Sequence, residues 1–505
     1  MGDIPIYKDL SFYPNSDKAK TRFDHIFGKF KQSFGDYEFI ARAPGRVNLI
    51  GDHIDCSYFS SLPMAIETDV VAVANLTSDL SVNLINLDSK YEPTSFQLPE
   101  NNEILTIDKS IFSWANYVKC GFLVAQKYLK ENHPELSDFK GVNVVFDGTV
   151  PTGGGLSSSA AISVCSALLF LRSQGLKEIT KKDLTAITVV SEHYLGVNTG
   201  GMDQCASIYG EFGKALLVHY KPNLYGELFS FPKIQPHDMV LLISNTLVEA
   251  NKFETAPINY NLRVVEFAVA SEILAKRCDL TLVQDSNLNT GTLKGFVDNY
   301  CEQKLGWDHW DGHNIEQGIK LLNKGLELVE TLFTDEEKDG LTTEQAAKAL
   351  DLSVDQFTER FLQKFHVRYE KLKLYKRSKH VFYDSLNVFK VLKLLSAPSD
   401  DFLTDLGSIM NDSQQTSIEN IENSTNEIND VCKIALANGS YGSRVTGAGW
   451  GGSVVHVTTA DKIEGLYDAL KTQYYQKKFP NITQDELEAA LVITQPSAGA
   501  SLVEL

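Results

Sequence analysis

The residues best suited to chemistry lie in one run, Val150-Pro151-Thr152-Gly153-Gly154-Gly155-Leu156-Ser157-Ser158-Ser159-Ala160-Ala161. Glycines permit unusual backbone angles and let main-chain N–H groups approach a ligand closely. A helix that opens on these serines adds unpaired N–H donors and the positive end of its dipole. Together they make an anion site suited to phosphate. The hydroxyls of Ser157, Ser158 and Ser159 can bond phosphate oxygens or ligate Mg²⁺. No Gly-Lys-Ser/Thr follows, so this is not a Walker loop. The bland alternative is a glycine turn with a serine cap, but three serines exceed what one cap requires. A second feature is discounted. His309 and His313 are spaced four apart, like a helical metal pair. Gly312 and the irregular context argue for a loop instead.

The loop needs a strand before it and a helix after it. Gly141–Phe146 reads as the strand, and a helical pattern begins near Leu156. Elsewhere helical patterns cover about 18–34, 113–130, 182–195, 259–276, 314–332, 366–396, 415–438 and 461–476. Strand patterns cover 37–43, 69–77, 81–85, 239–243, 453–458 and 490–494. Residues 278–313 read as polar and irregular, and 342–363 as two short capped helices that are not basic. The picture is α+β, in two domains of residues 1–214 and 215–505.

Composition narrows the function. The 505 residues carry a net charge of −18, which argues against broad binding to nucleic acid or anionic membranes. It leaves room for phosphate held by a local nest of N–H groups. The seven cysteines are scattered and form no C-x-x-C, so neither a disulfide framework nor a zinc site is expected. No signal-like start and no apolar run of membrane-spanning length is seen. A cytoplasmic protein is expected.

The loop resembles the second motif of the galacto-, homoserine, mevalonate and phosphomevalonate (GHMP) kinase superfamily. Gly45-Arg46-Val47-Asn48-Leu49-Ile50-Gly51-Asp52-His53-Ile54-Asp55 resembles the galactokinase signature. Gly442–Gly452 resembles the third, glycine-rich motif. Ser191-Glu192-His193-Tyr194 and Gly200-Gly201-Met202-Asp203-Gln204 look like the metal and base segments. These motifs follow the family's order over some 400 residues. Residues 251–257 and the overall length look most like fungal galactokinases.

The resemblance implies a domain like ribosomal protein S5 domain 2, then a ferredoxin-like half with added helices and an active site between them. It implies ATP and Mg²⁺ as cofactors and galactose as substrate. Asp203 would be the general base, and Arg46 would keep it ionised and offset phosphoryl charge. Asp52, His53, Asp55, Gly200 and Tyr260 would hold the sugar. Gly153, Gly154, Gly155 and Ser157 would cradle phosphate, with Ser158, Ser159 and Glu192 on Mg²⁺. Trp114 would cover the adenine, and Asn251 and Lys252 would contact the nucleotide. The family usually has Glu at Asp52 and Tyr at Cys56, so the sugar wall differs here. Two alternatives share these motifs: an N-acetylgalactosamine kinase, and a galactose-responsive regulator that binds a transcriptional repressor. The complete run Ser157–Ala161 favours catalysis over the regulator.

Overall fold

The computed structural model describes residues 2–101, 103–108, 113–195, 200–248 and 255–505. Its first sheet has seven strands in the order β1-β13-β2-β3-β6-β4-β5. They are β1 (Ile6–Tyr7), β2 (Phe39–Ile50), β3 (Leu62–Leu76), β4 (Ser81–Asn86), β5 (Thr94–Gln97), β6 (Val142–Gly148) and β13 (Ser501–Val503). Helix α1 (Ser16–Phe34) is capped by the Asn15 side chain, which accepts from the Lys18 N–H. Its stripe of Phe23, Ile26 and Phe30 meets Ile40, Val71, Val73 and Val145 on one face of the sheet. Helices α2 (Ala115–Asn132), α3 (Ser158–Ser173), α4 (Lys181–Thr188) and α5 (Met202–Tyr209) belong to the main core that includes Val47, Leu49, Ala72 and Val144.

The second sheet is antiparallel, in the order β10-β11-β9-β12. It comprises β9 (Met239–Asn245), β10 (Gly442–Thr446), β11 (Ser453–Thr459) and β12 (Leu491–Thr494). Leu242, Val445 and Val454 from these strands pack with Ile428, Val431, Leu466 and Leu470. The chain between β9 and β10 is helical: α6 (Tyr260–Arg277), α7 (Leu293–Leu305), α8 (Ile315–Leu332), α9 (Leu374–Ser396) and α10 (Phe402–Thr416), with Val265, Phe296, Leu322, Phe389 and Leu406 in the main core. A separate hairpin, β7 (Lys214–His219) with β8 (Tyr225–Ser230), meets β3 through a bridge from Val218 to Ser61.

The architecture is α+β in two lobes. The last strand, β13, crosses from the residue 215–505 half into the first sheet, between β1 and β2. The helical pattern expected over 182–195 ends at Thr188, and residues 192–195 form a separate turn. The pattern over 415–438 is likewise divided. One helix ends at Thr416, a wide turn follows, and the next helix starts at Asn426 under a Thr425 cap. The segment read as irregular, 278–313, contains α7, capped by the Thr292 side chain on the Gly295 N–H. Its polar face hid that helix. Among the described residues, no helix is long and apolar enough to cross a membrane.

One buried ion cluster fastens α1 to the sheet. Asp69 has no exposed side-chain surface. It bonds Arg42, accepts from Arg22 Nη1 at 2.6 Å and from the Tyr13 hydroxyl at 2.6 Å. Arg22 also meets Asp147 at 2.5 Å. The two guanidinium groups hold the Asp69 carboxyl below its usual range against the burial that opposes them. Removing one partner of such a cluster strands a buried charge. Asp69→Ala is therefore expected to lose about 3–5 kcal/mol of stability, read as a lower urea midpoint. A change within about 0.5 kcal/mol, as for an ordinary surface substitution, would contradict this.

Candidate active site

Strand β2 delivers the first set of side chains. Its pairing with β3 shifts register between Pro44 and Arg46 and again between Asn48 and Ile50. Such irregularities re-aim side chains, here Arg46 and Asn48. Gly45 is needed between them, because a Cβ there would lie 2.8 Å from the Leu156 carbonyl oxygen and 2.9 Å from Val150. The glycine thus lets the strand and the loop touch, and the Arg46 N–H donates to Leu156 O at 3.1 Å.

The loop itself alternates the sign of φ. Gly153, Gly155 and Ser157 have φ of +74°, +73° and +60°, whereas Gly154 and Leu156 are not in that region. Alternation of this kind turns successive N–H groups toward a common point, the geometry of an anion nest. Helix α3 then begins at Ser158, with Ser158 and Ser159 half-buried in its first turn. Ser157 does not cap the helix. Its hydroxyl instead donates to Asp203 Oδ2 at 2.5 Å.

Asp203 sits in the first turn of α5, just after Gly201 at φ +90°. Its other oxygen, Oδ1, accepts from Arg46 Nε at 2.8 Å. The same guanidinium donates through Nη1 to the Gly155 carbonyl at 2.6 Å. The third glycine motif closes over this junction. A Cβ on Gly447 would lie 3.1 Å from Gly155 O, and the Ser453 hydroxyl bonds Gly154 O. Base segment, signature, phosphate loop and third motif therefore converge on one point.

Behind it lies a buried polar layer. Asp52 is 3 % exposed. Its Oδ2 accepts from Arg444 Nη2 at 2.7 Å, and its Oδ1 from Asn48 Nδ2 at 2.7 Å and the Gly447 N–H at 3.2 Å. The carboxylate expected to grip the sugar is thus engaged inside the chain. It joins the signature to the third motif, and a sugar hydroxyl reaches it only by sharing an oxygen. From α9, His380 Nε2 donates to the Asp52 carbonyl at 2.9 Å, and Asp384 accepts from the Gly51 N–H at 3.1 Å.

His53 is held at φ +61°. Its Nε2 faces the Ala448 carbonyl at 2.7 Å. A carbonyl only accepts, so Nε2 carries the proton and Nδ1 is the acceptor nitrogen. Burial pushes the His53 pKa down to about 4. Asp55 is half-buried at the start of a short turn, and burial raises its carboxyl to about 6. Gly200 lies against it, since a Cβ there would meet Asp55 Oδ2 at 2.7 Å. Tyr260 opens α6, its hydroxyl 3.8 Å from Cys56 Sγ and its ring 5.7 Å from that of His53. His53, Asp55, Cys56, Gly200 and Tyr260 are therefore neighbours.

Glu192 is buried and close enough to Tyr117 to raise that phenol's pKa, second only to burial. Ser158, Ser159 and Glu192 are hard oxygen donors, a set that suits Mg²⁺. Trp114 precedes α2, bonds the Glu92 carbonyl at 3.3 Å and sets its ring edge-on to Phe146 on the strand leading to the loop. Asn251 and Lys252 lie outside the described residues. His309 and His313 form no metal pair: His309 bonds Glu302 at 2.7 Å, while His313 turns toward Glu227. Sequence reasoning missed Arg444, His380 and Asp384. An arginine inside a glycine-rich, apolar motif was the available signal, since a buried guanidinium requires a carboxylate.

The family model "Galactokinase galactose-binding signature" matches residues 28–76. The GHMP kinase N-terminal and C-terminal models match 116–211 and 400–476. The galactokinase of Schizosaccharomyces pombe is 51% identical over 100% of this chain and 99% of its own length. The chain belongs to the galactokinase family. The Saccharomyces cerevisiae galactokinase is 43% identical, with 93% of this chain and 92% of the relative covered. Among solved structures, Lactococcus lactis galactokinase complexed with galactose superposes with a TM-score of 0.66 at 22% identity, covering 95% of this chain and 99% of that one. The mevalonate kinase of Methanococcus jannaschii follows the same fold at a TM-score of 0.51, 14% identity and coverage of 92% and 100%. The galactokinase signature thus covers β2, which carries Arg46, and the turn after it, which carries Asp52, His53 and Asp55.

The buried titratable groups fix how this galactokinase fold responds to acid. Burial lowers His53 and His380 to about 4 and His456 to about 3. In the unfolded chain each titrates near 6.5, so lowering the pH loads protons onto the unfolded state first and removes stability. Asp55 and Asp384, both raised to about 6, act oppositely, taking up protons in the folded state first. The urea midpoint is expected to fall as pH drops from about 7 to about 5, because the three histidine protons taken up by the unfolded chain outnumber the two taken up by the aspartates of the folded one. A midpoint that rises across that interval would contradict this assignment.

Proposed function

We propose that this protein transfers the γ-phosphoryl group of ATP to the C1 hydroxyl of α-D-galactose, giving galactose 1-phosphate and ADP. The observation that carries the reading is the Asp203 carboxylate, bonded on one oxygen to Arg46 and on the other to Ser157 of the phosphate loop. A proton acceptor and a phosphate cradle thus share one residue's contacts.

In this reading the sugar lies against His53, Asp55, Gly200 and Tyr260, and Asp52 with Asn48 and Arg444 holds that wall in place. His53 Nδ1 and the Asp55 carboxyl offer acceptors to sugar hydroxyls. Asp203 takes the C1 hydroxyl proton. The sugar oxygen forms its bond to the γ-phosphorus, and the bond from that phosphorus to the bridging oxygen of ADP breaks. A loose transition state places charge on the outer oxygens. Arg46 and the N–H groups of residues 153–159 face that charge, and preorganised donors of this type lower the barrier. Ser158, Ser159 and Glu192 would hold Mg²⁺, which when bound supplies further charge neutralisation to the phosphates. Trp114 is assigned to the adenine side.

The chain divides into domains of residues 1–214 and 215–505 in this reading, with β13 returning to the first lobe. The seven cysteines are free, which suits the cytoplasmic setting we assign. A repressor-binding role is left aside, because nothing in the site favours it over catalysis.

The test is an ADP-release assay with Mg·ATP across a sugar panel that includes galactose and N-acetylgalactosamine. Galactose is expected to give the highest kcat/KM, with phosphate on its anomeric oxygen. ADP release at background for every sugar would refute the kinase reading, and a higher kcat/KM for N-acetylgalactosamine would replace the substrate.

A further inference from the structure

A second cluster of ligand-type side chains lies outside the kinase site. His219 ends β7, Glu227 lies on β8, and His313 sits in the loop just before α8. In the antiparallel hairpin His219 pairs with Tyr225, so Glu227 is its diagonal neighbour on the same face. The His219 side chain is 5 % exposed, Glu227 43 % and His313 49 %. One ligand atom from each residue lies within 4.8 Å of the others.

The distances fit a metal ion. His219 Nε2 and His313 Nδ1 each lie 3.3 Å from Glu227 Oε2. Zinc bonds of about 2.0–2.2 Å to nitrogen and oxygen, placed tetrahedrally, put neighbouring ligand atoms roughly 3.3 Å apart. Two edges of the ligand triangle therefore already have that length. The third closes by a movement of His313, the most exposed member.

The outer contacts orient both imidazoles. The far nitrogen of His219, Nδ1, faces the Ser60 hydroxyl at 3.4 Å. The far nitrogen of His313, Nε2, faces the Tyr225 hydroxyl at 3.0 Å. Tyr225 also stacks on His219, with centroids 4.6 Å apart and planes at 14°. Metal-bound histidines characteristically use the second nitrogen in this way, which fixes the ring and the tautomer. Gly312 at φ +88° brings the loop backbone close, a Cβ there lying 3.7 Å from His219 Nδ1.

We propose that His219, Glu227 and His313 bind a divalent transition-metal ion of the zinc type, with water or an exogenous ligand in the fourth position. Two imidazoles and a carboxylate suit zinc rather than Mg²⁺, which prefers oxygen donors. The bound ion ties the β7–β8 hairpin to the loop that leads into α8. Its role is to brace the hairpin. The hairpin backs the sugar signature, because Val218 bridges to Ser61 and the Tyr220 hydroxyl bonds the Ser61 hydroxyl at 2.7 Å.

The experiment uses the full chain stripped with chelator and titrated with Zn²⁺ against a competing chromogenic chelator. A parallel Co²⁺ titration reports the ligand type by its absorption. Wild type is expected to bind one ion with a nitrogen and oxygen spectrum free of thiolate charge transfer, and to gain thermal stability on loading. Tyr225→Phe is expected to weaken binding about 10–100-fold, and Glu227→Gln and His313→Gln by more. All three lie on or near the surface, and unchanged circular dichroism without metal serves as the fold check. Undetectable binding by wild type overturns the site. So does equal binding by Glu227→Gln and His313→Gln, or a thiolate spectrum, since each would assign the ion elsewhere.

Discussion

Asp203 is held by two groups that arrive from opposite directions, Arg46 from β2 and Ser157 from the phosphate loop. Hydrogen bonds to a charged group contribute about 1.5–3 kcal/mol each, and two of them leave the carboxylate little freedom. The consequence spreads outward. Arg46 also holds the Gly155 carbonyl, so the loop that would receive phosphate is referenced to the residue that would receive the proton. Gly447 then packs on the same carbonyl. Movement of any one of these segments disturbs the other three.

A buried polar layer makes that arrangement rigid. Asp52 and Arg444 are almost fully buried, and such a pair is costly unless its remaining donors and acceptors are satisfied. They are satisfied here by Asn48, the Gly447 N–H, the Ser413 hydroxyl and the carbonyls of Asn48 and Leu49. Helix α9 supplies the next layer through His380 and Asp384. The two lobes are thus joined by hydrogen bonds across the signature rather than by apolar contact alone. The Asp at position 52, shorter than the family's usual Glu, reaches Arg444 at 2.7 Å. In this chain it serves the junction between the signature and the third motif.

Much of this was legible in the sequence. The glycine-serine run read as a loop between a strand and a helix, and β6 and α3 do flank it, because glycine spacing and a following helix pattern are local properties. Strands at 142–148, 239–245 and 453–459 followed from apolar, β-branched runs, and the long helices at 16–34, 260–277 and 315–332 from their periodicity. The pairings were not legible. Nothing local links Asp52 to Arg444, 392 residues apart, or sends Ser501–Val503 back between β1 and β2. Ser157 read as a phosphate or cap residue, whereas its left-handed backbone aims the hydroxyl at Asp203. The spacing of His313 from His309 was rightly discounted as a metal pair, but nothing local showed that the neighbours of His313 come from a distant hairpin.

The central claim is that Asp203, held between Arg46 and Ser157, accepts the sugar proton during transfer. Single-turnover rapid-quench kinetics with Asp203→Asn tests it most directly, because the substitution keeps the side chain's size while removing its basicity. The phosphoryl-transfer rate is expected to fall by about 10²–10⁴-fold, with galactose binding retained and an unchanged circular dichroism spectrum showing that the variant is folded. A transfer rate near the wild-type value in a folded, sugar-binding variant would contradict the account.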